Sequence, residues 1–224
     1  MPRISDERRA ARRSQVLEAA RACLQEHGLE AVSMEMIIAR SGLSTGAVYG
    51  YFKGKDDIIS AVVTEGTADL GAELLPVLAD PAPLSPPELL GRVLRAVVAF
   101  GRRTQGVDRL LVSIHGWSHA QADPELKKVT AASYRRLRDA YTRAAARSQD
   151  AGNLDAGVAA QDVGQLLTSI TLGFVAQRAL TGSADVEAHV AALEAILTPP
   201  PTARSGQSGS ERPRTVTRTG PGRG

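Results

Sequence analysis

One cysteine, eight aromatic residues and no long apolar run set the first limits on this chain of 224 residues. Cys23 cannot close an internal disulfide on its own, which points to a reducing compartment. It falls within an apolar helical pattern and reads as a small buried hydrophobe rather than a reactive thiol. No run approaches the ~20 apolar residues that a membrane-spanning helix needs. The polar segment 1–13, with five arginines, is not followed by the apolar stretch of a secretory signal. A cytoplasmic protein is the expectation. At 43% hydrophobic and 23% charged, the composition excludes a wholly disordered or collagen-like chain. Its length suffices to bury a core without disulfide or metal staples. Alternating strands with hairpin turns are lacking, as are solenoid repeats and glycine-rich phosphate loops.

Excess charge is also scarce. Against 24 Asp and Glu stand 27 Lys and Arg, a formal +3, although the pI near 9.3 suggests a basic protein. Five of the arginines (Arg204, Arg212, Arg214, Arg218 and Arg223) lie in a Pro/Gly/Ser-rich stretch from Thr198 onward that holds one acid, Glu211. Removing that stretch leaves 22 bases against 23 acids. The high pI therefore belongs to a segment, 199–224, that reads as a disordered tail.

What is present is a 3.6-residue apolar period, repeated nine times. Val16, Leu17, Ala20, Leu24 and His27 line a first helix, with Gly28 as a plausible stop. Ser33 reads as the N-cap of a second helix that ends near Ser41, and Gly42 suits a tight turn. Ser44 reads as the cap of a very short third helix through about Tyr51. Gly54 precedes a fourth helix, reaching about Leu78. Further helical patterns cover about 88–104, 107–121, 124–149, 157–181 and 185–197, separated by Gly and Pro signals. The fold class is all-α: a three-helix helix-turn-helix domain at 5–55, a helical domain at 56–198 for ligand binding and dimerisation, then the tail.

Two short helices joined by a glycine-bearing turn form the helix-turn-helix pattern, whose second helix fits a major groove. Small residues at the start of that helix (Ser44, Thr45, Gly46, Ala47) leave room to approach bases. The hydroxyls of Ser44, Thr45, Tyr49 and Tyr51 can donate to phosphates, and Lys53 and Lys55 add charge. Three of the eight aromatics fall within four residues here. The same geometry also occurs in proteins that bind no DNA.

The run from Ser33 to Asp57, with Gly42-Leu43-Ser44, Gly46, Val48-Tyr49, Tyr51-Phe52-Lys53 and Lys55 followed by acids, closely resembles the DNA-binding domain of the TetR/AcrR family. The resemblance is strong over about 10–60 and beyond that extends to the general plan. It implies a homodimer that binds a palindromic DNA operator and is released by a small molecule, most simply a repressor. It also implies phosphate contacts from Ser33, Tyr49, Tyr51 and Lys55, base approach by 44–47, and packing by Val48 and Phe52. Ile38 and Ser41 depart from the family's usual alanines. No Arg, Asn or Gln is present in the recognition helix for bidentate base contacts, so methyl groups, backbone amides, water or DNA shape carry specificity. Arg3, Arg8, Arg9, Arg12 and Arg13 either track a flanking phosphate or form a solvated helix start.

Downstream, Phe100, Ile114, His115, Trp117, Ser118, Tyr134, Tyr141, Phe174 and Gln177 are candidates for a ligand cavity, with Trp117 the foremost, though plain core packing explains each of them equally well. They imply a moderately hydrophobic effector. Leu166, Leu167, Ile170 and Gly173, with Val190, Leu193, Ile196 and Leu197, are candidates for a dimer face, though packing within one subunit explains the same pattern.

His115 and His119 have metal-ligand spacing, but Gly116 stands where a zinc protease needs glutamate. Gly116-Trp117-Ser118-His119-Ala120 resembles a nucleophile elbow without the strand that such a device requires. Neither metal, cofactor nor catalysis is expected. A helical ligand- or partner-binding protein without an operator is the alternative reading.

Overall fold

In the computed structural model, residues 6–102 and 109–197 are described. The side chains of 102, 109, 111–113 and 115 fall outside that description. Nine helices and no strand occur among the described residues: α1 (Asp6–Ala31), α2 (Met34–Ser41), α3 (Thr45–Tyr49), α4 (Lys55–Ala79), α5 (Pro86–Arg102), α6 (Arg109–Ala122), α7 (Pro124–Asp150), α8 (Ala160–Thr181) and α9 (Val186–Leu197). The expected all-α class is therefore observed. The tail, Arg3 and the separator at Gly106 lie outside the described residues.

Local chemistry explains most of the helix ends. Ser33 Oγ accepts the Met36 amide at 3.3 Å, and Ser44 Oγ accepts the Ala47 amide at 3.3 Å. Each satisfies an amide that the first helical turn leaves without a partner. Between these helices Gly42 turns the chain at φ 66°, where a side chain would be strained. Asp123 caps α7 through the amides of Glu125 and Leu126, at 2.9 and 3.1 Å.

Three expected boundaries shift. The first helix continues past Gly28, but the backbone leaves helical geometry there (φ 74°, ψ 173°), so α1 is two helices joined at a kink. The third helix ends at Tyr49, not Tyr51. Gly50 closes it on Gly46, and the amides of Tyr51 and Phe52 both turn back to the Val48 carbonyl. α8 starts at Ala160 rather than 157, because Gly157 is held in a turn by the Asp155 carboxylate at 2.8 Å.

Two cores result. The N-terminal one joins Val16, Leu17 and Leu24 of α1 to Ile37, Val48, Phe52 and the first turns of α4 (Ile58, Ile59, Val62), closed by Ala120 and Leu126. The second gathers Leu74 and Leu78 of α4 with Leu90, Leu94, Tyr141, Leu167, Phe174 and Leu193. α4 therefore belongs to both. It runs side by side with α7 in the same direction: Ser60 donates to Asp123 at 2.8 Å near their starts, and Arg147 donates to the Leu78 carbonyl at 2.7 Å near their ends. α7 and α8 approach so closely that a Cβ on Gly164 would lie 2.8 Å from the Thr142 backbone nitrogen.

Candidate nucleic-acid interface and internal cavity

α3 is amphipathic within five residues. Val48 is fully buried, and Phe52, just beyond the helix, is 3% exposed in the N-terminal core. The other side presents Ser44, Thr45, Gly46 and Tyr49 to solvent, with Ala47 half-buried. Tyr49 is 51% exposed and so is not core, although Val48 beside it is fully buried. Ser33 and Ser44 use their oxygen lone pairs as caps; this leaves the Ser44 proton to donate outward, whereas the Ser33 hydroxyl donates to the Glu35 carboxylate and holds it below the usual carboxylate range. Lys53 is exposed, while its amide is tied to Asp57 at 2.9 Å.

Some candidates have a structural contact as well. Lys55 is half-buried, and its Nζ donates to the Leu29 carbonyl at 3.4 Å, bracing the end of α1. Tyr51 is half-buried, with the Arg9 guanidinium 6.0 Å from its ring centroid. Arg13 lies 5.3 Å from the Phe52 ring centroid and pairs with Glu65, so it is turned inward rather than along a flanking phosphate. Arg12 is exposed. The two departures from the family pattern both pack. Ile38 lies against the N-terminal core, and Ser41 is buried, donating to the Ile38 carbonyl at 2.8 Å and accepting the Leu43 amide at 3.2 Å.

A second feature is a cavity of about 550 Å³ between α4, α6, α7 and α8, reached at one end by Arg21 of α1. Its walls include Val62, Gly66, Gly71, Leu74, Trp117, Lys127, Tyr134 and Leu172. Trp117 and Tyr134 both lie in this wall. Phe100, Tyr141 and Phe174 are not in the wall. They are at most 2% exposed and fill the second core, where the Tyr141 hydroxyl meets Thr171 Oγ1 at 2.7 Å and Phe174 stacks edge-on to His189. Thr171 gives its own proton to the Leu167 carbonyl, so Tyr141 is the donor. Burial pushes the Tyr141 hydroxyl well above the usual tyrosine range. Ile114 is half-buried, Ser118 and Gln177 are exposed, and none of them lines the cavity; the His115 side chain lies outside the described residues.

The small residues of α4 (Gly66, Thr67, Ala68, Gly71 and Ala72) make the space, and the sequence reading overlooked them. Their clustering in mid-helix was the available signal, since short side chains leave a helix face hollow. Arg21 was overlooked for a different reason. It is 4% exposed and pairs with Glu18 at 2.5 Å and Glu65 at 3.3 Å, the latter 44 residues away.

The dimer candidates divide in the same way. Leu167 and Leu193 are buried within the subunit, because their helix faces point to the second core, and Ile170 packs against it. Val190 is half-buried, next to Gly91. Leu166 and Ile196 are 53% and 79% exposed, Leu197 is exposed, and a Cβ on Gly173 would meet nothing.

The nucleophile-elbow pattern lacks its geometry, and the His115–His119 pair falls partly outside the described residues. Gly116-Trp117-Ser118 is in mid-helix in α6 rather than on a strand-to-helix turn. Ser60 Oγ donates to Asp123 at 2.8 Å and lies 3.5 Å from His119 Nε2, so its proton goes to the carboxylate and not to the imidazole. No group of three metal-ligating side chains occurs among the described residues, nor any helix long and apolar enough to cross a membrane. Cys23 is buried, and burial raises its thiol pKa, as expected of a packed hydrophobe.

A capped helix pair, turned by a left-handed glycine and presenting a small-residue helix outward, is the geometry of a helix-turn-helix protein. The model of bacterial regulatory proteins of the tetR family matches residues 16–62, and that of the BetI-type transcriptional repressor C-terminal region matches 86–198. The chain belongs to the TetR family of transcriptional regulators. It is 25% identical over 185 residues to the HTH-type transcriptional repressor AcnR of Corynebacterium diphtheriae, covering 83% of this chain and 90% of that protein. To the HTH-type transcriptional repressor Rv1474c of Mycobacterium tuberculosis it is 35% identical over 72 residues, 32% of this chain, and there it spans 38% of that protein's length. A solved SmeT–triclosan complex shares the fold, with a TM-score of 0.64 and 24% identity, covering 95% of this chain and 100% of that one.

Proposed function

We propose that this protein is a homodimeric repressor, without catalytic activity or cofactor, that leaves a palindromic operator when a small, moderately hydrophobic molecule enters the cavity. The observation that carries the reading is the division of α3. Its buried side anchors the helix in the N-terminal core, and its exposed side holds only small or hydroxyl-bearing residues and Tyr49. In this reading residues 5–55 bind DNA inside the cell. Ser44, Thr45, Gly46 and Ala47 approach bases, and Ser33, Tyr49, Tyr51, Lys53 and Lys55 hold phosphates. Residues 56–198 bind the effector and the second subunit. Leu166, Gly173 and Leu180, spaced seven apart, offer an exposed stripe on α8, continued by Ile196 and Leu197. Gly173 would admit a close helix from the partner.

Selection from fragmented genomic DNA with the full-length dimer tests the reading. A palindrome with half-sites one helical turn or a near multiple apart is expected; no enrichment sinks it. On that site, Tyr49→Phe with Lys53→Ala should weaken binding on all sequences alike and reduce the salt slope by about 2 for the dimer, one lost phosphate charge per subunit. An unchanged slope would place the phosphate contacts elsewhere.

Glu65 is the proposed link between the two ends. One of its oxygens takes Arg13, which stacks on Phe52 below the recognition helix, and the other takes Arg21, which reaches the cavity. Charged hydrogen bonds of this kind contribute enough to change local opening about tenfold. Glu65→Gln should therefore speed amide exchange in α1 by about tenfold and leave α8 unchanged. Identical exchange in α1 would show that Glu65 holds nothing.

A further inference from the structure

We infer that the cavity is built for an organic anion with an apolar body. The inference rests on the cavity being the effector site, and it concerns the chemistry of that effector. Three of the lining residues, Arg21, Lys127 and Arg136, are cationic, and none of the described lining residues is acidic. Arg21 is already neutralised by Glu18 and Glu65. Lys127 and Arg136 have no ion pair among the described residues, whereas their neighbours on α7 do: Lys128 pairs with Glu125 at 2.6 Å and Arg138 with Asp139 at 2.8 Å. These two exposed charges, one on each edge of the α7 segment that borders the cavity, are thus unspent.

Lys127 and Arg136 are nine residues apart, about 13 Å along the helix axis and two and a half turns, so each long side chain reaches the cavity from its own side of α7. Between them Thr130, Ser133 and Tyr134 bring hydroxyl groups to the wall. The opposite walls are hydrocarbon, chiefly Leu70, Leu74, Leu75, Leu172 and Val175. Lys127 and Arg136 are themselves exposed, so their field is screened by water at the mouth of the cavity and acts on a ligand head as it enters. An anionic head is attracted there, and its apolar body replaces water along the leucines. A cationic ligand would give up hydration and gain no carboxylate in return. The rings of Trp117 and Tyr134 would be its only compensation, against the repulsion of Lys127.

Trp117 is the only tryptophan of the chain and lies in the wall, so its emission reports occupancy directly. The test titrates the full-length protein with decanoate, decanol and decyltrimethylammonium, each below its aggregation concentration. Decanoate is expected to bind at least about tenfold more tightly than either of the others, the worth of one charge-assisted contact. Lys127→Gln with Arg136→Gln should remove that advantage and leave decanol within about threefold of its original affinity. Gly71→Leu, whose side chain enters empty space, should abolish the Trp117 response to all three while the fold is retained. Decanol binding as tightly as decanoate, tighter binding of the ammonium, or an unchanged decanoate affinity in the double variant overturns the anion inference and leaves the effector cavity standing. A Trp117 signal that ignores all three probes, or a Gly71→Leu protein that still responds, overturns the cavity reading itself.

Discussion

Gly46→Leu is expected to lower operator affinity by about a hundredfold or more while leaving the melting temperature unchanged or slightly raised. A Cβ at Gly46 would meet nothing within 4 Å, so the folded protein accommodates the side chain. Leucine is also the better helix former, by several tenths of a kcal/mol up to about 1 kcal/mol. The side chain stands on the exposed face of α3 between Thr45 and Ala47, where the small residues leave room for the edges of bases. Leucine there pushes the helix out of the groove in both half-sites at once. A disturbed base step costs about 1–3 kcal/mol, and two half-sites double it. Filter binding or fluorescence anisotropy on the selected palindrome, alongside a thermal melt, measures both quantities. Wild-type affinity would remove α3 from the interface. Lost affinity with a lowered melting temperature would mean that the position is structural.

Phe52→Ala should act in the opposite way, on DNA binding through stability. Phe52 is 3% exposed and locks the exit of the recognition helix against Val48 and α1, with the Arg13 guanidinium stacked on its outer face. Truncating a buried phenylalanine costs about 3–5 kcal/mol, the lost transfer energy plus the void left behind. This core is the smaller of the two, so the loss falls on it. Hydrogen exchange should show α1 to α3 losing protection by two to three decades, with α7 and α8 much less affected. Operator binding would then fall because the recognition helix is no longer held. Equal loss of protection in all helices would show instead that the two cores unfold as one unit.

The two variants separate what each side of α3 does, and they mark where sequence reasoning was sufficient. The caps at Ser33 and Ser44, the left-handed turn at Gly42 and the exposed small residues were legible because each depends on neighbours two to four positions away. Helix number and order followed from the 3.6-residue period, which is also local. Errors began where a residue's environment depends on distant chain. In sequence Tyr141 and Phe174 fit a cavity and plain core alike; the fold buries Tyr141 against Thr171 of α8 and Phe174 against His189 of α9. Leu167 and Leu193 share a spacing with Leu166 and Ile196, but a helix rotation of about 100° per residue separates a core position from an exposed one.

The charge arithmetic shows the same division. Composition alone established that little net charge is available outside the C-terminal stretch, and local pattern established a capped, small-faced recognition helix. Which of the remaining charges are spent was decided only in three dimensions. Arg13 and Arg21 are consumed by Glu65, 52 and 44 residues away, whereas Lys127 and Arg136 border a cavity without acids. Short-range hydrogen bonds and periodic burial can be read along a chain. Ion pairing and cavity shape depend on which helices the packing places side by side, and that follows from the sum of many weak apolar contacts across the whole fold.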